Sequence, residues 1–102
     1  MKTFEVSFRP LAEADLFELY DYIAADAGHR IAGDYIDRIE AACMGLANFP
    51  ERGRRRDDIR PRLRVMGFER RARIVYQVTR REVLIVRIFY GRQDFGRALT
   101  GG

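Results

Sequence analysis

The first residues of the chain alternate between apolar and polar side chains. Phe4, Val6 and Phe8 share one face of an extended chain, and the positions between them are polar. A period of two is typical of a β-strand with one buried face. We therefore predict a first strand over residues 3–9.

Two helical patterns follow this strand. Pro10 suits the first turn of a helix, and the first pattern continues to about Asp26. Its apolar positions are Leu11, Leu16, Leu19, Tyr20, Ile23 and Ala24. Gly28 interrupts the pattern, and a second helix is predicted from about Arg30 until Pro50 ends it. The apolar positions of the second helix are Ile31, Tyr35, Ile39, Ala42, Leu46 and Phe49.

Three strand patterns follow the helices, after a polar stretch over residues 51–60 that we expect to be a loop. The predicted strands cover about residues 62–67, 71–79 and 82–90. Only Arg80 and Arg81 separate the last two, so these segments should form an antiparallel meander. The last strand is apolar at nearly every position, which predicts a central place in the sheet with both faces covered.

The resulting fold belongs to the α+β class. Two helices joined by a short link fold back on one another, and their apolar stripes need a sheet to cover. We expect a helical hairpin on a small, mostly antiparallel sheet, in the order β-α-α-β-β-β. The 102 residues make one domain, residues 1–102, with 47% hydrophobic content for its core. Residues 94–102 show no usable period, and we expect a flexible tail from about residue 95.

Composition excludes several classes of protein. No segment approaches the ~20 apolar residues of a membrane-spanning helix, and Glu5 lies where a signal peptide would be apolar. We expect a cytoplasmic protein. The single cysteine, Cys43, has no partner for an internal disulfide, and no Cys/His cluster is available for zinc. We expect neither a metal nor a cofactor.

Charge is divided unevenly along the chain. Residues 1–51 contain four basic and ten acidic side chains, whereas residues 52–102 contain fifteen basic and five acidic ones. All basic residues except Lys2 are arginine, whose planar fork suits phosphate and carboxylate groups. An anionic partner is therefore expected, with genome composition as the alternative reason for so many arginines.

The densest basic segment lies between the second helix and the meander. Residues 52–64 contain seven arginines, interrupted by Asp57 and Asp58. No aromatic residue is interleaved among them, so the segment suits contact with phosphate or carboxylate groups better than the reading of bases. Asp57 and Asp58 are placed to pair locally with Arg54, Arg55 or Arg56 and to stiffen the loop. The alternative is a solvated surface loop.

Several segments, in this order and spacing, resemble the ParE/RelE superfamily of small bacterial toxins from type II toxin–antitoxin systems. The segments are YI at 22–23, FPERGR at 49–54, DIR at 58–60, ARIVYQV at 72–78 and VLIVRIFYGRQD at 83–94. The resemblance spans nearly the whole chain, and it implies the same β-α-α-β-β-β architecture.

The superfamily divides by target. RelE-like members cut mRNA in the ribosomal A site without metal, whereas ParE-like members are described as inhibitors of DNA gyrase. The resemblance aligns Arg73 with an arginine that stabilises phosphate charge in RelE-like nucleases, and Arg62 and Arg64 with a pair of lysines. The RelE pattern also has an arginine where this chain has Gln93, and a C-terminal tyrosine where it has Phe95 and Leu99. Those two matches are missing.

An acid–base pair for RNA cleavage is also not evident. His29 is the only histidine, and it lies at the predicted turn between the helices, where a solvated capping residue is the simpler interpretation. Tyr90 occupies a position where related nucleases have a histidine, but an ordinary tyrosine is a poor base. Tyr90 could equally be a packed ring.

The structural alternative for Arg73 is a strand residue paired with Glu69 or Glu82. For Tyr76, which shares a face with Ile74 and Val78, a place in the core is the simpler interpretation.

The resemblance therefore favours a ParE-like toxin that inhibits gyrase without catalysis. Its expected partner is a ParD-like antitoxin with an acidic C-terminal segment, in a hetero-oligomeric complex. The first alternative is a ribosome-dependent endoribonuclease that uses Arg62, Arg64, Arg73 and Tyr90. The second is a degenerate member that only titrates antitoxin or binds nucleic acid by charge. Candidate contacts with the target or antitoxin are Arg54, Arg55, Arg56, Arg60, Arg73 and Arg92.

Overall fold

A computed structural model describes residues 3–91 and Leu99. Two helices lie on one side of a five-stranded mixed sheet. The elements are β1 Glu5–Phe8, α1 Pro10–Ala27, α2 His29–Gly45, β2 Arg54–Arg55, β3 Leu63–Phe68, β4 Ala72–Val78 and β5 Glu82–Tyr90. The strand order is β1-β5-β4-β3-β2, with β1 parallel to β5 and the other pairs antiparallel. The predicted α+β class and the helical hairpin on a mostly antiparallel sheet are confirmed.

The hairpin between α1 and α2 turns on one glycine. Gly28 has a φ of 96°, in the left-handed region that favours glycine, and its N–H donates to the Ala24 carbonyl at 2.9 Å. Gly28 closes α1 and also precedes the first residue of α2. The predicted end of α1 and start of α2 are each within one residue of the observed ones.

The predicted end of α2 at Pro50 is wrong, because the helix stops at Gly45. The N–H groups of Leu46 and Ala47 bond three residues back, to Cys43 and Met44, and this tightens the chain into a turn. The Ala47 carbonyl then accepts the Phe4 N–H at 2.9 Å. The chain leaves the helix early because this turn is joined to the start of the sheet.

Each helix buries a narrower apolar face than its sequence pattern predicts. Leu11, Ile31 and Phe49 are exposed. The buried helix residues are Ala12, Leu19, Ile23, Ala32, Tyr35, Ile39 and Cys43. These positions follow spacings of three, four or seven residues, which place them on one face of a helix. Leu11 and Ile31 each precede a buried residue by one position, so they are turned about 100° away from that face. Phe49 lies beyond the end of α2.

The strand β5 lies inside the sheet, between β1 and β4, as predicted. Val75 pairs with Arg87 and Tyr76 with Ile85, so Val86 is an extra residue in β5, a β-bulge. The bulge reverses the alternation of β5, and both Ile85 and Ile88 therefore reach the core under the helices.

The sheet has one more strand than predicted. Arg54 pairs with Val65 and Arg55 with Arg64, so β2 lies within the segment predicted to be a loop. Tyr76 accounts for this pairing, because its hydroxyl donates to the Pro50 carbonyl at 2.8 Å and accepts the Gly53 N–H at 2.7 Å. These two bonds hold the preceding loop so that residues 54 and 55 run along the edge of β3.

Candidate functional site on the back of the sheet

The side of the sheet turned away from the helices, here called the back face, carries a small second core. Leu63, Val75 and Phe89 are buried there, and Leu99 packs against them. Arg54 lies opposite Val65, and Arg73 lies opposite Gly67 and Phe89, so both arginines belong to the back face. The back face therefore carries both apolar and basic side chains.

Four arginines converge on one part of the back face. Arg54, Arg56, Arg70 and Arg73 line a shallow cavity of about 400 Å³, here called the arginine cleft. The other lining residues are Val65, Gly67 and Ala72. The arginines come from β2, the loop after it, the β3–β4 turn and β4, so only the folded sheet brings them together.

The β3–β4 turn that presents Arg70 has an unusual backbone. Glu69 and Arg70 both have positive φ, 46° and 64°, as in the tight turns that match the twist of antiparallel strands. Glu69 is held by Arg38 of α2, which donates from Nε at 2.8 Å and from Nη2 at 3.1 Å. These bonds lower the pKa of Glu69. Glu69 therefore binds Arg38, and the local pairing proposed for it with Arg73 is not the one that forms.

The loop after β2 is organised by its two aspartates. The Arg56 guanidinium donates twice to Asp58, at 2.9 Å each, and Arg55 donates to Asp57 at 2.8 Å. Asp57 also accepts the N–H of Arg62, whose φ of 66° is stabilised by this contact. The predicted local pairing is confirmed for Arg55 and Arg56. The Arg62 N–H and then the Arg55 side chain lower the pKa of Asp57, and Arg56 lowers the pKa of Asp58.

Three other arginine side chains donate to main-chain carbonyl groups. Arg64 lies opposite Tyr76, on the helix side of the sheet, and its Nη1 donates to the Gly53 carbonyl at 2.8 Å and the Glu51 carbonyl at 3.4 Å. Arg60 donates to the Leu99 carbonyl at 3.3 Å. Arg73 donates to the Gly91 carbonyl at 3.2 Å. Arg92 lies outside the described residues.

Tyr90 is part of an aromatic cluster on the helix side. Its ring lies 5.7 Å from the Tyr22 ring and 6.0 Å from the Tyr35 ring, both edge-on. Burial, followed by the influence of Tyr90, raises the pKa of Tyr35 to about 12. The packed-ring alternative for Tyr90 is the one observed.

Comparisons with known proteins agree with this geometry. The sequence profile of the ParE toxins of type II toxin–antitoxin systems (parDE) matches residues 6–95. The chain belongs to the ParE toxin family. A protein named toxin ParE3, from Caulobacter vibrioides, is 31% identical over 91 residues, which cover 89% of each chain.

A solved structure supports the fold of this ParE-family toxin. A chain of the chromosomal ParDE toxin–antitoxin system of P. aeruginosa superimposes with a TM-score of 0.77. The match covers 88% of the present chain and 98% of that chain, at 23% identity. At this identity the likeness concerns the fold alone.

The structure does not bring the four nuclease candidates of the toxin together. Arg73 lies on the back face, whereas Arg64 and Tyr90 lie on the helix side. Arg62 precedes Leu63, which pairs with Gln77, so it lies roughly 17 Å along the sheet from the Gly67–Arg73 pair. The four residues therefore lie at separate positions on the two sides of the sheet.

The single histidine of the toxin lies between the two helices. His29 is the first residue of α2, and its Nδ1 shares a hydrogen bond with the Tyr20 hydroxyl at 3.0 Å. The two rings also stack, with centroids 5.8 Å apart. His29 is exposed, as expected for a solvated residue, and its side-chain hydrogen bond is to Tyr20 and not to a main-chain N–H of the helix. The histidine joins the two helices and is remote from the back face.

The described residues contain no group of three His, Cys, Asp or Glu side chains arranged to hold a metal ion. Cys43 is buried, and burial raises its thiol pKa to about 12, so the reactive thiolate is disfavoured. Nor is any helix in the described part of the toxin long and apolar enough to cross a membrane.

Sequence reasoning missed a largely buried ion pair that joins α1 to β5. Asp15 of α1 accepts from Arg87 Nε at 2.8 Å and Nη2 at 3.0 Å, and it also accepts the Ile88 N–H at 2.8 Å. Hydrogen bonding to Asp15 raises the pKa of Arg87. Arg87 was visible in the sequence as the lone charge within an apolar strand, but nothing there identified its partner.

Proposed function

We propose that this ParE-family toxin inhibits DNA gyrase by binding to it, without a catalytic step of its own, in the cytoplasm. The observation that carries the proposal is the division of Arg64, Arg73 and Tyr90 between the two sides of the sheet. Metal-free RNA cleavage needs an acid and a base near the charge-stabilising arginine. Family membership adds support, because ParE-like toxins are described as gyrase inhibitors.

A supercoiling reaction tests the proposal. The folded toxin in molar excess should prevent purified gyrase from introducing supercoils into a relaxed plasmid. Toxin unfolded by heat before addition provides the control for inhibition by basic protein alone. Gyrase that stays fully active beside the folded toxin would contradict the proposal.

The alternative function, cleavage of mRNA on the ribosome, is tested by a separate measurement. Mapping of mRNA ends on translating ribosomes should show no cuts that follow the codon phase. If such cuts appear and Arg73→Ala abolishes them, the toxin is a nuclease and the proposal fails.

We also propose that a ParD-like antitoxin silences the toxin in a hetero-oligomeric complex. The toxin offers two kinds of surface: the basic back face, and a groove of about 530 Å³ on the helices. The groove is lined by Phe8, Glu13, Leu16, Phe17, Tyr20, Asp21, Ile36 and Glu40. Phe17 is 74% exposed there, which suits an amphipathic helix of the partner. An acidic segment that orders on binding would suit the basic surface outside the arginine cleft.

Controlled expression tests this second part. Induced toxin should stop colony formation, and co-expression of the small protein encoded beside its gene should restore growth and copurify with it. Normal growth with verified soluble toxin and no antitoxin would contradict the proposal.

A further inference from the structure

The arginine cleft concentrates positive charge beyond what the fold requires. Arg54 and Arg70 donate to no carboxylate among residues 3–91 and Leu99. No acidic side chain among these residues lines the cleft either. Like charges held together raise the free energy of the folded chain, so such a cluster stabilises an anion placed between them.

The cleft is held by bonds that position its arginines before any ligand arrives. The Arg56 N–H donates to the Leu63 carbonyl at 2.8 Å, and Asp58 fixes the Arg56 guanidinium through two bonds. Arg73 is anchored at the other side by the Gly91 carbonyl at 3.2 Å. Guanidinium groups that are positioned in advance lose less entropy when they bind an anion.

Gly67 leaves room for a ligand between these arginines. It lies directly opposite Arg73 in the sheet, and a Cβ built on it would have nothing within 4 Å. Any larger residue at this position would project into the cleft. The open space and the surrounding charge coincide at the same point of the back face.

We propose that the arginine cleft binds phosphodiester groups of a nucleic-acid backbone. Among the described residues its lining contains no aromatic ring on which a base could stack, so contact with the backbone is favoured and sequence is not read. An acidic peptide is the less suitable ligand, because within residues 3–91 the lining offers only Val65 and Ala72 as apolar side chains beside which it could pack. The inference stands independently of the proposed action on gyrase.

Fluorescence anisotropy with a short, labelled DNA duplex of random sequence tests the inference. We expect the purified chain to bind with a dissociation constant of about 10⁻⁶ to 10⁻⁴ M, weakening steeply from about 50 to about 200 mM salt. The Arg54→Ala/Arg70→Ala variant should weaken binding at least about tenfold and reduce the salt slope by about two.

Two further variants distinguish binding in the arginine cleft from general attraction to a basic protein. Arg80→Ala/Arg81→Ala removes the same charge from the β4–β5 turn, roughly 23 Å along the strand from Arg73, and should leave most of the binding intact. Gly67→Leu keeps every charge but fills the cleft, and should weaken binding about as much as the double arginine variant. Circular dichroism confirms that each variant is folded.

Three results would overturn the inference. One is duplex binding that depends equally on the Arg80/Arg81 and Arg54/Arg70 pairs. Another is binding unchanged by Gly67→Leu in a folded protein. The third is a polyglutamate peptide that binds more tightly than DNA and loses affinity with the cleft variants, since the site would then take carboxylates.

Discussion

A single hydroxyl group organises the segment from which the basic surface emerges. Tyr76 is fully buried, and its hydroxyl bonds to both Pro50 and Gly53. Gly53 is required at this approach, because a Cβ there would lie 2.6 Å from the Tyr76 oxygen and 3.0 Å from the Val65 carbonyl. The glycine of the FPERG segment is therefore explained by one buried contact.

Removal of this hydroxyl should destabilise the fold. Tyr76→Phe leaves the Gly53 N–H and the Pro50 carbonyl without their partner, and we expect a loss of about 1–3 kcal/mol in the free energy of unfolding. Tyr35→Phe is the matched control, because the buried Tyr35 hydroxyl makes no hydrogen bond to the described residues. That change should be neutral or stabilise by up to about 1 kcal/mol. Urea unfolding of both variants measures the difference, and equal losses would refute the role assigned to Tyr76.

The contact between α1 and β5 shows how one helix completes the sheet. β1 pairs with β5 only as far as Ile85, so the following stretch of β5 lacks a strand on that side. Asp15 accepts the Ile88 N–H there and binds Arg87 at the same time. A carboxylate on a helix thus takes the place of a neighbouring carbonyl group.

Loss of this carboxylate should be severe. The Asp15 and Arg87 side chains are only 9% and 22% exposed, so Asp15→Ala leaves a poorly solvated charge and an unsatisfied N–H. We expect a loss on the order of 3 kcal/mol in the free energy of unfolding. Glu69→Gln, at an ion pair with 52% and 41% exposure, should cost much less, because solvent screens the exposed pair. If urea unfolding gives equally small losses in the free energy of unfolding for the two substitutions, Asp15 is not an essential partner of Arg87 and the Ile88 N–H.

Most elements could be predicted from local periodicity, since the strands β1, β3, β4 and β5 and both helices follow their apolar patterns closely. The strand β2 could not, because two arginines carry no strand pattern and pair only through the loop that Tyr76 holds. The β-bulge at Val86 also has no recognisable signal in the local sequence. The position of Arg64 could not be predicted for the same reason: its side of the sheet is set by its pairing with Tyr76, and there it binds loop carbonyls.

The division of charge along the sequence reappears in the folded protein as a division between its sides. The acidic first half forms the helices, and the groove on them includes Glu13, Asp21 and Glu40. The basic second half forms four of the five strands and the arginine cleft. The uneven charge was visible in the sequence, but the four arginines of the cleft come from separate elements, and only strand pairing brings them together.

The lowered carboxylate pKa values predict how stability depends on pH. The pKa values of Asp57, Asp58 and Glu69 are lowered by their hydrogen bonds, so these groups bind protons less readily in the folded chain than in the unfolded one. Their contribution is complete above the unfolded values, near ~4, and is lost as pH falls through the folded values. Midpoints of urea unfolding should therefore decrease below about pH 4.

The Asp57→Asn/Asp58→Asn/Glu69→Gln variant supplies the control for this pH dependence. Its unfolding midpoint should vary less in acid than that of the parent protein, because none of the three positions can then gain a proton. An unchanged acid dependence would show that other groups are responsible.

The parallel pairing of β1 with β5 joins the first strand of the chain to its last one. Until the final hairpin has formed, the opening segment has no neighbour to accept it, and the stripes of both helices remain in water. Without this pairing the helices are not held over the sheet, and a partly folded copy presents exposed chain to proteases.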